Sequence, residues 1–103
     1  MIVFSPLLEW ITDMCLFYRA QGGGDWYEAA IVLYKGMPPA TLEHTIVDAH
    51  VVRGSIIADF KMESFTIPAD GTYFVAFYSG SYDRTGGAIL GAYMQVEGFS
   101  VSA

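Results

Sequence analysis

The chain has 103 residues, 53% of them apolar and 16% charged, which is enough to fill one core, too few for two, and too apolar to stay disordered. Its net charge is −6, and its five basic residues, Arg19, Lys35, Arg53, Lys61 and Arg84, are scattered singly. Tracking a phosphate backbone needs several Lys or Arg on one face, so no nucleic acid is expected as a partner.

The opening "MIVFSPLLEW" is apolar, but it lacks the basic start and small-residue cleavage site of a signal peptide. No apolar run reaches the roughly 18 residues of a spanning helix, so no membrane span is expected. Residues 5–20, "SPLLEWITDMCLFYRA", send two messages. Ser5 and Pro6 suit an N-cap and first helical turn, and apolar residues follow at 7, 8, 11, 14, 15 and 18. Yet "MCLFYRA" runs through a short Gly-rich link into a clear strand, the layout of a β-hairpin. Because every other element reads as a strand, residues 12–20 are read as one too, with a short turn or 3₁₀ piece near 6–10. Cys15 is the single cysteine, so no internal disulfide can form, and between Met14 and Leu16 it reads as a small buried apolar residue.

Residues 26–34, "WYEAAIVLY", are aromatic and β-branched between two glycine-bearing boundaries, and predict a strand. Residues 44–52 and 55–60 carry further β-branched clusters, with a hairpin or bulge expected at Gly54. Residues 64–67 end at "PADG", where Pro68 fixes φ and Gly71 permits a positive φ, a turn. In the strand beginning at Tyr73, the Tyr73, Val75 and Phe77 set faces one way and the Phe74, Ala76 and Tyr78 set the other. Neither set is polar, so this strand should be central and covered on both sides, or packed against core on one face and a partner on the other. The last segment, 88–101, alternates Ala92, Met94 and Val96 with Tyr93, Gln95 and Glu97. Six or seven short strands in one domain over residues 1–103 predict an all-β antiparallel β-sandwich.

The stretches "LFYRAQGGGDWYEAAIVLY" and "SFTIPADGTYFVAFYSGSYDRTGGAILGAYMQVEGFSV" resemble jelly-roll domains of the carbohydrate-binding-module or galactose-binding-like type. Such domains occur in secreted adhesins and enzymes, and similar ones in phage tail proteins. The resemblance implies a jelly-roll sandwich, an extracellular, cell-surface or virion-associated place, and, where the N-terminal part is short, a strand either missing or supplied by another chain.

The chemical inventory points away from catalysis. Glu9, Asp25, Glu28 and Asp83 sit in no catalytic motif, and Ser79, Ser81 and Cys15 have no adjacent base. His44 and His50, taken as one strand, would share a face about 20 Å apart, too far to ligate one metal. No enzyme is expected.

Two stretches remain as sites. In "GGGDWYEAA", Asp25, Trp26, Tyr27 and Glu28 combine two carboxylates with two aromatics: a sugar platform, or a core anchor at Trp26 with Asp25 satisfying a turn. Only one face can be inside, so an inward Trp26 means an outward Tyr27. In "SGSYDRTGGA", Tyr82, Asp83 and Arg84 form either a turn or a ligand loop, and calcium is the metal its oxygen ligands would suit. The expectation is a binding or adhesion module for carbohydrate, with a virion, tail or surface assembly protein as the alternative, forming a homo-oligomer or part of a larger assembly.

Overall fold

The computed structural model describes residues 2–5, 12–22, 26–41, 43–55, 59–82, 89–90 and 92–102. The strands are β1 (Ile2–Phe4), β2 (Thr12–Gly22), β3 (Trp26–Lys35), β4 (Thr45–Ser55), β5 (Asp59–Ile67), β6 (Tyr73–Tyr82), β7 (Ile89–Leu90) and β8 (Ala92–Ser102). They form two antiparallel sheets: β1-β6-β3-β4, with β7 also paired to β6, and β5-β2-β8. The chain is an all-β sandwich.

Period two prevails over the helical signals in β2. Met14, Leu16 and Tyr18 are buried, while Asp13 and Arg19 are exposed, so one face of the strand supplies core and the other meets solvent. The turn or 3₁₀ piece expected near 6–10 lies outside the described residues. Tyr27, Ile31 and Leu33 of β3 and Tyr73 and Val75 of β6 join the β2 residues and Phe65 and Ile67 of β5 in one core between the sheets. Burying each such side chain contributes about 1.5–3 kcal/mol.

The strand beginning at Tyr73 is central, with β3 on one edge and β1 and β7 on the other. Both its faces are covered at first: Tyr73 and Val75 point into the core, and Phe74 and Ala76 join Val32 and Tyr34 in a second apolar cluster outside the five-stranded sheet. The "PADG" turn is fixed from within. Gly71 has φ +143°, a conformation that disfavours any side chain. The buried Tyr73 donates its hydroxyl to the Ala69 carbonyl at 2.6 Å, much as a tyrosine corner ties a Greek-key connection.

Three expectations are corrected. Gly54 makes no hairpin or bulge, because β4 runs straight through it. It is there to admit a ring: a Cβ at Gly54 would lie 2.6–2.8 Å from Tyr27 ring and hydroxyl atoms. The irregularity of β4 falls instead at Val47, where the pairing with β3 shifts between Leu33 and Tyr34. His44 and His50 do not share a strand face either. His44 precedes β4 and packs edge-on against Tyr34 and Phe74 outside the sheet, whereas His50 stacks on Phe65 inside, 4.2 Å between centroids. Cys15 is half-buried and faces outward, near the Ser64 hydroxyl at 3.8 Å, because it follows the Asp13 and Arg19 parity of β2.

Candidate functional site

The outer face of the five-stranded sheet gathers the surface aromatics. Strand pairing lays it out in rows across β4, β3 and β6. Ala30 stands beside Val51 and Tyr78, Glu28 beside Arg53 and Gly80, and Trp26 beside Ser55 and Tyr82. Paired residues share a face, so Trp26, Glu28, Arg53 and Tyr78 all look outward.

Trp26 is 37% exposed and Tyr78 47%. Four residues separate Trp26 from Ala30, the partner of Tyr78, so the two aromatic rows are about 13 Å apart. The row between them carries no side chain at Gly80 and an ion pair at its other two positions, Arg53 Nε donating to Glu28 Oε2 at 2.9 Å. Such an exposed pair adds only about 0–1 kcal/mol of stability. Its consequence is directional, since it presents acceptors and donors side by side in a shallow trough between aromatics.

The far end of this face is braced. The Tyr34 and Tyr78 hydroxyls meet at 2.9 Å, although their rows lie two apart, so both rings must lean along the strands over Val32 and Ala76. Those two residues are buried. Tyr34 also stacks on Phe74, 4.9 Å between centroids, and His44 closes the corner, its Nδ1 within 2.9 Å of the Thr41 hydroxyl. The bond to Tyr78 first, and burial second, raise the Tyr34 phenol above its ordinary range. Tyr78 is thus held at one edge with its remaining surface open to solvent.

The expected site residues divide. Trp26 and Glu28 lie on this face, while Tyr27 points into the core, fully buried, and cannot meet the same ligand. Trp26 is not the core anchor, because the parity of β3 gives that place to Tyr27. Tyr82 holds the register position opposite Trp26, and its side chain is not among those described. Asp25, Asp83 and Arg84 lie outside the described residues, as does the calcium-suited part of their loop. Tyr78 and Arg53 were not singled out from the sequence. Their signal is the pairing register, which brings three strands together and has no counterpart in local spacing.

A second cluster joins the edges of the two sheets. His50 of β4 approaches Glu63 of β5 with Nδ1 at 2.8 Å and Asp48 with Nε2 at 3.2 Å. The ring thus stands between the two carboxylates, within hydrogen-bond distance of both. Beside Glu63 lies the buried Tyr18 hydroxyl, which makes no hydrogen bond of regular geometry. Burial first, then the charge of the Glu63 carboxylate beside it, push its proton affinity far above the ordinary tyrosine range. Among the described residues, no group of three His, Cys, Asp or Glu side chains gathers to hold a metal ion.

No protein-family model matches the sequence, and no curated protein or solved structure matches it.

Proposed function

We propose that the chain is a non-catalytic binding or adhesion module that takes carbohydrate on the outer face of the five-stranded sheet, in the manner of a jelly-roll carbohydrate-binding domain. The observation that carries this reading is the row order Trp26, then Glu28, Arg53 and Gly80, then Tyr78. An exposed ring stacks on the apolar face of a pyranose, and a carboxylate and guanidinium beside it exchange hydrogen bonds with hydroxyls. A glycine in the middle lets the sugar approach the backbone. The roughly 13 Å between the aromatic rows exceeds one sugar ring, so an oligosaccharide suits the trough better than a monosaccharide.

The test is a glycan-array screen of the purified chain, run with calcium and again with chelator. Reproducible binding to a set of related oligosaccharides is expected, and silence in both conditions counts against the reading. Loss of signal with chelator alone would bring the oxygen-bearing stretch 79–88 into the site as a calcium ligand.

A second reading, a virion, tail or surface assembly component, is favoured by one observation. Ile46 and Val51, at 60% and 65% exposure, stand on the same outer face, and apolar side chains gathered on one face suit a protein interface.

A further inference from the structure

From the partly engaged guanidinium in the middle of the outer face we infer, resting on the carbohydrate reading of that face, that the oligosaccharide it takes carries a carboxylate, gripped by the free fork of Arg53.

Arg53 bonds side-on. Its Nε donates to Glu28 Oε2 at 2.9 Å, and among the described residues its side chain makes no other hydrogen bond. A guanidinium carries further N–H donors on its terminal nitrogens, in one fixed plane. The side chain is 69% exposed, so those donors are open to a ligand. They form a fork whose spacing matches the paired oxygens of a carboxylate, and a neutral hydroxyl, with its single oxygen, fills it only in part.

Glu28 holds that fork in place. A lone exposed arginine moves among many rotamers, and ordering it on a ligand costs free energy. Here the carboxylate directly across the strand pair, in register with Arg53, already fixes the guanidinium. Glu28 is thereby a positioning residue, and Arg53 is the one that touches the ligand.

The surroundings admit an anion. The chain carries −6, yet the outward positions next to the pair are uncharged: Trp26 and Ala30 on β3, Val51 and Ser55 on β4, Tyr78 on β6. Glu28 and Arg53 offset each other, so this part of an acidic molecule is neutral and its unused donors are cationic. The spacing suits the ligand as well. The row of Trp26 and the row of Arg53 are two residues apart along the strands, about 7 Å. A uronic acid ring stacked on Trp26 therefore brings its exocyclic carboxyl within reach of the fork, and Gly80, in the same row as Arg53, leaves room for the next sugar.

Uronic-acid oligosaccharides, each set beside the same chain with its carboxyls reduced to alcohols, provide the test on the wild type, Arg53→Gln and Arg53→Lys. The wild type should bind the acidic member of each pair at least about tenfold more tightly, as a charge-assisted bond allows. That preference should weaken as salt is raised. In Arg53→Gln the ratio should fall to about one, and Arg53→Lys, which keeps the charge and loses the fork, should fall well below the wild type. Both variants alter an exposed side chain and should keep the wild-type far-UV circular dichroism spectrum. Equal binding of acidic and reduced chains by the wild type overturns the inference and spares the carbohydrate reading. So does a preference for acid that survives Arg53→Gln, or a preference for sulfated chains over carboxylated ones. Silence toward every chain, acidic and neutral alike, overturns the carbohydrate reading and the inference with it.

Discussion

His50 and Glu63 meet at 2.8 Å across the gap between the two sheets, one on β4 and the other on β5, and so tie the two edge strands on one side of the sandwich. Removing the ring leaves a half-buried carboxylate facing an empty place beside Phe65. His50→Ala should lower the unfolding free energy by about 1–3 kcal/mol. A double-mutant cycle with Glu63→Gln, read by urea denaturation, should give a coupling energy well above the scatter. Additive effects would show that the two side chains do not support each other.

Gly54 is occupied in effect by its neighbour, since the Tyr27 ring lies where its side chain would grow. In Gly54→Ala the new methyl would meet ring atoms at 2.6–2.8 Å. The ring sits deep in the core and cannot move aside freely, so overpacking should destabilise the fold by about 1–3 kcal/mol. Thermal and chemical denaturation should agree on that loss. A gain would mean that the ring has room to shift.

Much of the fold was legible because its strongest signals are local. "PADG" ends one strand and "WYEAAIVLY" begins another, through backbone and side-chain chemistry that acts within a few residues. Gly54 misled for the same reason: beside Arg53 it looks like a turn, and only the strand partner Tyr27 explains it. The site shows the same limit. Trp26 and Glu28 could be named from their own stretch, whereas Arg53 and Tyr78 join them through register between strands distant in sequence. Parity placed Trp26 and Tyr27 on opposite faces, but which face is the core depends on the second sheet.

Tyr73 secures the corner before β6 through its bond to the Ala69 carbonyl. Tyr73→Phe keeps the ring in the core and removes only that bond. The expected loss is about 1 kcal/mol, with hydrogen exchange quickening around residues 69–72. Unchanged exchange there would place the turn's stability in Gly71 and Pro68 instead.

The buried Tyr18 phenol holds its proton in the folded chain well past the point at which a free tyrosine releases it. Above the ordinary pKa of about 10 the unfolded chain binds fewer protons than the folded one, so stability is full below that pH and falls as pH rises beyond it. Tyr18→Phe should flatten this alkaline decline. At neutral pH it should change stability by less than about 1 kcal/mol, because the hydroxyl gives up no regular hydrogen bond. An alkaline limb of unchanged slope in the variant would put the titrating group elsewhere.

The outer face of the five-stranded sheet is the centre of the functional account, and Trp26 and Tyr78 are its anchors. The most direct measurement is glycan-array binding of the wild-type chain beside folded Trp26→Ala and Tyr78→Ala variants. Loss of a stacked aromatic should weaken binding at least about tenfold, equivalent to about 1.4 kcal/mol, in both variants and toward the same oligosaccharides. Glycan binding that survives both substitutions undiminished would contradict the account.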